Sequence, residues 1–168
     1  TPILEKYDAV CGVSEIITNF CDLSIAYQQS TRAVFIGGVL QKSEMTLKKS
    51  IKIAVVLKRP RNRHIYYFDD ILIHYITIAA RNYSPATYLN SPYIKAVNDL
   101  ICSDERNGTN YAQILYVFLA CERNASSAGK ELNMHRNNIL YHIPRIQEKI
   151  GLDLDDFRIR LNLMLAFH

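Results

Sequence analysis

No stretch of the 168-residue chain comes near the roughly 18 uninterrupted apolar residues that a membrane-spanning helix needs. The opening "TPILEKYDAVCGV" lacks the basic-then-apolar layout of a secretory leader, so a soluble, cytoplasmic protein is expected. Cysteine is sparse and badly spaced for chemistry. Cys11, Cys21, Cys102 and Cys121 form no CxxC pair, which removes the zinc knuckle and the thioredoxin-like dithiol and leaves free thiols in a reducing compartment. No nucleophile elbow, phosphate loop or paired-carboxylate site is visible, and there is no repeat or low-complexity segment. No enzymatic activity and no cofactor are therefore expected. The start on Thr1 rather than Met reads as a fragment or a processed chain.

What is present is apolar residue in quantity, 49% of the chain, enough for a core and too much for a disordered segment. Charge is unevenly placed. Residues 42–63 hold eight Lys or Arg against the single acid Glu44, which is +7 of a net +4, so the remainder carries −3. A run this basic is able to meet phosphate, but a solvated helix face and turn explain it more simply.

Apolar spacing gives the order of elements. "AVCGVS" (9–14) reads as a short strand. Leu23, Ala26, Tyr27, Ala33, Val34 and Ile36 describe a helix that should close at Gly37-Gly38. A second helix is expected with Ser43 as its cap and Leu47, Ile51, Ala54 and Val55 on one face. "HIYYF" (64–68) has strand composition and is followed by a helix capped by Asp69 or Asp70. After the connection "SPATYLNSP", the chain reads as helical to its end. One helix stops near Gly108, and another carries Ile114, Leu115, Val117, Phe118 and Leu119. In the last helix Phe157, Leu161, Met164 and Leu165 form one apolar stripe and Ile159, Leu163 and Phe167 a second. Two stripes exceed what a small domain buries, so Ile159, Leu163 and Phe167 are expected at a contact between chains.

The most informative stretch is "NASSAGKELNMHRNNILYHIPRIQEKIG" (124–151). Asn124 suits the N-cap of a helix over "ASSAGKEL", and Ala128 is small enough to let a following helix cross closely. Asn133 tolerates the left-handed conformation of a tight turn. Ile139, Ile143, Ile146 and Ile150, spaced four, three and four, then mark the buried stripe of the next helix. Its outer side carries Arg136, Asn137, Asn138, Tyr141, His142 and Arg145, donors and acceptors with no acid before Glu148. Two helices joined by so short a turn, the second polar outside, form a helix-turn-helix. Pro144 is discordant: it removes one backbone hydrogen bond, and a kink that displaces the helix tail is expected there.

"NASSAGKELNMHRNNILYHIPRIQEKIGLDLDDFRIRLNLMLAF" resembles the C-terminal helix-turn-helix domain of the PucR/CdaR family of bacterial transcriptional regulators. His135, Arg136, Asn137, Leu140, Tyr141, Gly151, Leu152, Asp153, Leu154, Asp155, Asp156, Arg160, Leu161 and Leu165 carry the likeness. Upstream, "IYYFDDI" resembles the strand before that domain, and "GVSEIITNFCDLSIAYQQSTRAVFIGG" resembles the end of the family's degenerate GGDEF-like middle domain. The chain departs from the pattern with Asn138 for threonine, His142 for arginine, Pro144, and an insertion of roughly 20 residues around 42–60. The resemblance implies a mainly α protein with a winged-helix or Fis-like C-terminal domain over 64–168. Residues 1–63 would be a small α/β remnant with a basic insertion.

It also implies a homodimeric regulator bound to a double-stranded operator, its small-molecule effector sensed by a region absent from this chain. In that reading Arg136, Asn137 and Asn138 meet bases, while Tyr141 and His142 touch base edges or backbone. Arg145 and Lys130 hold phosphates, and Asn124, Ser126, Ser127 and His135 stand at the two helix starts where the backbone passes. The rival reading is a dimerisation or docking module that no longer binds DNA. Charge barely separates the two, since residues 124–168 hold six basic and five acidic residues. Two blander possibilities compete for single residues. His135 and His142 lie seven apart and suggest a metal, but no third ligand is near. His64, Asp69, Asp70 and His74 resemble an acid–base set, although helix-capping aspartates explain the same letters.

Overall fold

The protein is described by a computed structural model over residues 2–47 and 64–168, with side chains at 2–39 and 64–168. The described residues form two compact units that divide at residues 79 and 80. The division falls later than the boundary at 63 and 64 expected from the resemblance, because Tyr66, Phe68 and Ile71 belong to the core of the first unit.

In that unit α1 (Pro2–Lys6) precedes β1 (Cys11–Val13), a 3-10 turn at Phe20–Asp22, α2 (Leu23–Leu47), β2 (Ile65–Tyr67) and the greater part of α3 (Phe68–Tyr83), whose last turn falls past the division. The strands pair in parallel, Cys11 opposite Ile65, Gly12 opposite Tyr66 and Val13 opposite Tyr67. Parallel neighbours need a long crossover, and α2 lies within it, packing on both strands. His64 reinforces the pairing: its carbonyl accepts from Cys11 N at 2.7 Å and its Nδ1–H donates to Ala9 O at 3.0 Å. Ala33, Ile36, Tyr66, Phe68 and Ile71 form the core.

The helix expected to stop at Gly37-Gly38 runs unbroken to Leu47, and Ser43 is inside it rather than capping a second helix. Gly37 serves packing instead. A Cβ there would lie 2.2 Å from Cδ1 of Tyr66, so only glycine lets that ring lie against the helix. Gly12 does the same for β1, where a Cβ would fall 1.9 Å from the Ser30 carbonyl oxygen. The helix after β2 starts directly at Phe68, so Asp69 and Asp70 occupy its first turn rather than its cap, where their charge still suits the helix dipole. The basic run beyond Leu47, with Ile51, Ala54 and Val55, lies outside the described residues.

The second unit contains α4 (Pro85–Leu89), α5 (Pro92–Asn107), α6 (Tyr111–Ala120), α7 (Ala125–Leu132), α8 (Arg136–Ile150) and α9 (Phe157–Ala166). Pro85 and Pro92 each occupy a first turn, where a missing N–H costs nothing. Gly108 ends α5 at φ 66°, a left-handed cap. Asp104 then links α5 to α6, its carboxylate accepting from the Thr109 hydroxyl and from Ala112 N. That bond covers a helix start whose own N-cap side chain, Asn110, makes none. α6 is buried nearly all round and packs against α5, α7, α8 and α9.

The last helix reverses the expected assignment of its stripes. Leu163 is fully buried within the chain, Ile159 and Phe167 are half-buried, and Phe167 meets Tyr116 edge-on at 5.2 Å. Packing on α5 and α6 consumes this stripe, so Leu163 is not available to a second chain. Phe157 and Leu161 are the exposed apolar residues of α9.

Two substitutions separate packing from helix propensity. Gly37→Ala should lower stability by about 1–3 kcal/mol by driving a methyl into Tyr66. Gly38→Ala, with open space at its Cβ position, should raise it by about 0.5–1 kcal/mol. Urea unfolding followed by circular dichroism reads both, and equal effects would refute the close approach at Gly37. In α9, Leu163→Glu should cost more than about 4 kcal/mol, since it buries an unpaired charge, while Leu161→Glu should leave the domain folded.

Candidate nucleic-acid interface

The helical pair is built from its caps. Asn124 Oδ1 accepts from Ser126 N and Ser127 N at 3.0 Å each, starting α7. Asn133, at φ 53°, ψ 40°, ends it in the left-handed conformation that its short amide side chain tolerates. Met134 N donates back to Gly129 O at 2.8 Å, which closes the turn. The turn sits so close to α7 that a Cβ on Gly129 would lie 2.5 Å from the Met134 carbonyl oxygen. α8 then opens on His135, whose Nδ1 accepts from Asn137 N at 3.3 Å, placing its proton on Nε2. Ala128, Ile139 and Ile146 are fully buried between the pair and the rest of the domain.

Pro144 does not break the helix. α8 continues through it to Ile150, with Ile146 buried and Ile143 and Ile150 half-buried. The proline is itself exposed, so one missing hydrogen bond on the solvent side is outweighed by an inner stripe that stays docked on α6.

Arg136, Asn137, Asn138, Tyr141 and Arg145 are exposed on α8, as are Lys130, Ser126 and Ser127 on α7. Their unspent donors set this face apart. Residues 111–168 contain five arginines, and three of them are engaged. Arg123 pairs with the Asp155 carboxylate, Arg158 with Asp156, and Arg160 donates to the carbonyls of Leu154 and Asp155. Among the described residues Arg136 and Arg145 make no hydrogen bond or ion pair. The Arg145 guanidinium instead stacks on Tyr141, 3.6 Å from the ring centre.

Three residues read from the sequence as contacts take other positions. The Asn124 side-chain oxygen is spent on the α7 cap, and the Nδ1 of His135 on the α8 cap. His142 is half-buried, its ring 5.5 Å from Tyr111 of α6 and 5.2 Å from Tyr141. Its Nδ1 is buried without a hydrogen-bond partner. Position 142 follows Ile139 by three residues and precedes Ile146 by four, which turns it to the inner side. The arginine-to-histidine departure at 142 thus alters packing against Tyr111, not a surface contact.

Two residues were given no contact role from the sequence. Leu140, 47% exposed, puts an apolar side chain beside the polar row. Lys149, counted only as charge, donates its Nζ to the Ser103 hydroxyl and lies 5.7 Å from the Tyr111 ring centre. No local sequence pattern announces the second, because Ser103 is 46 residues away.

The aspartate-rich link "GLDLDD" has a structural role. Gly151 ends α8 at φ 66°, Leu154 is buried, Asp153 accepts from Asp155 N, and Asp156 caps α9 by accepting from Arg158 N at 2.7 Å. Arg123 ties this link to the connection between α6 and α7, where Glu122 and Arg123 both adopt positive φ. The Arg158 backbone N–H, aided by the Arg158 charge, holds the Asp156 carboxyl below its ordinary range. A depressed folded-state value contributes stability that is present above the unfolded carboxylate value, near 4, and is lost as pH falls. Asp156→Asn should therefore flatten the acid limb of a stability-versus-pH curve below about pH 4. An unchanged acid limb would remove Asp156 from the account.

Residues 111–168 match the PucR C-terminal helix-turn-helix domain. The proline-responsive transcriptional activator PutR of Bacillus subtilis (strain 168) is 33% identical over 66 residues, 39% of this chain and 16% of that protein. The chain thus aligns with less than a fifth of that relative's length. No solved structure matches. With a capped, turn-linked helix pair at 124–150 inside the matched span, residues 111–168 contain the helix-turn-helix that their similarity to the PucR C-terminal domain implies.

Proposed function

We propose that the chain is the DNA-binding end of a bacterial transcription regulator and that α8 enters the major groove of a double-stranded operator. The observation that carries this is the contrast among arginines. Those away from the outer face of α8 are paired within the domain, and those on it keep all their donors for something else. An arginine fork matches the O6 and N7 acceptors of guanine, and Asn137 and Asn138 suit the N6 and N7 edge of adenine. Leu140 offers an apolar contact for a thymine methyl. Lys130, Ser126, Ser127 and the Nε2–H of His135 stand at the flank where a phosphate backbone would pass.

One such motif covers only a few base pairs, so specificity calls for two. We propose a homodimer, with Phe157 and Leu161 as its contact in place of Ile159, Leu163 and Phe167. A two-fold pair would set the recognition helices about 34–36 Å apart. The β1–α2–β2 unit is proposed to be the end of a GGDEF-like domain, supported by its parallel strand order. Likeness to a proline-responsive activator supports control by a small molecule sensed outside this chain. Among the described residues no helix is long and apolar enough to cross a membrane. A non-catalytic, cytoplasmic role fits a regulator of this kind.

Fluorescence anisotropy with duplexes drawn from upstream of the neighbouring genes tests the reading. Arg136→Ala should weaken binding to the preferred duplex by about 1–3 kcal/mol without altering the fold. A parent protein that binds no duplex better than random DNA would leave the docking-module reading standing.

A further inference from the structure

Tyr141 and Arg145, four residues apart on α8, are in close contact on its exposed side. The guanidinium carbon lies over the ring, 3.6 Å from its centre and in van der Waals contact with it. The ring is itself fixed from behind. His142 meets it edge-on at 5.2 Å, and His142 rests in turn on Tyr111 of α6, which carries the Lys149 Nζ. A line of aromatic contacts thus runs from the most buried helix of the domain to an exposed guanidinium. That guanidinium makes no hydrogen bond or ion pair among the described residues, although Glu148 lies one turn away. Its face is held on the ring while its N–H edge stays open.

Resting on the DNA-binding reading above, we propose that Tyr141 is a positioning residue that holds the Arg145 guanidinium edge-on to a backbone phosphate of the bound duplex. Arg145 stands nine positions after Arg136, about 14 Å along the helix, so when the front of α8 is among the bases Arg145 has reached the strand at the groove wall. A phosphate accepts a planar fork in one orientation, and a side chain with many free rotamers must give up that freedom to match it. Stacking on Tyr141 fixes the plane before DNA arrives. The alternative is that the pair only braces the helix across Pro144, in which case it stabilises folding and does nothing for binding.

The test is a set of anisotropy titrations on the full chain with the preferred and an unrelated duplex, over a fourfold range of salt from about 50 to 200 mM. Arg145→Ala and Tyr141→Ala should each weaken binding to both duplexes by about tenfold and lower the salt slope by about one unit. The double variant should be no weaker than either alone, and Tyr141→Phe, which keeps the ring, should bind like the parent. Arg145→Lys, which keeps the charge and loses the fork, should bind nearly as weakly as Arg145→Ala. This last variant decides the matter if Tyr141→Ala does not fold. Additive losses in the double variant, a parental salt slope in Tyr141→Ala, or full binding by Arg145→Lys would each overturn the positioning role. A Tyr141→Phe variant as weak as Tyr141→Ala would overturn it as well, by making the hydroxyl the contact. A parent that binds neither duplex would instead remove the DNA-binding reading beneath it.

Discussion

A ten-residue helix with seven buried side chains has no face left for solvent, and α6 imposes that requirement on the C-terminal domain. Four other helices pack against it, and each contributes one apolar stripe. Leu100 on α5, Ala128 on α7, Ile139 and Ile146 on α8, and Leu163 on α9 are all essentially sealed from water. Fully burying one such aliphatic side chain contributes about 1.5–3 kcal/mol, so a few of them match the marginal stability of a small domain. α8 is held by the same contacts, and its outer row is therefore presented by a helix whose inner stripe cannot rotate without opening the core.

Where local chemistry decides structure, the sequence could be read directly. Asn124, Asn133 and Gly151 sit at helix ends because their side chains, or the lack of one, suit the orphan groups and the left-handed turns there. The four isoleucines of α8 mark its inner side by spacing alone. Reading failed where a distant residue decides. Gly37 looked like a helix stop, yet the aromatic ring that occupies the space beside it belongs to Tyr66, 29 residues on. The two stripes of α9 could not be ranked without knowing that α5 and α6 cover the one containing Leu163. His142 appeared to belong to the outer row because a row of polar letters does not reveal that Tyr111 is waiting on the inner side.

Pro144 and the pair at Glu122 and Arg123 share one lesson. A local cost persists when tertiary contacts fix the backbone on both sides of it. Ile143 and Ile146 hold α8 on either side of the proline, and the Arg123–Asp155 pair anchors a connection that takes two successive positive φ angles. The links of the domain are thus as defined as its helices. In such a frame the arginines that remain unpaired stand out as available for a partner.

The measurement that bears most directly on this account is an amide-resolved NMR titration of the 15N-labelled chain with a short generic duplex at low salt, where non-specific binding is strong. The account predicts that the largest shifts fall between Arg136 and Arg145 and at the start of α7, with α6 and the Leu154 link scarcely moved. Shifts absent from α8 and concentrated elsewhere would contradict it and move the nucleic-acid surface off the helix-turn-helix.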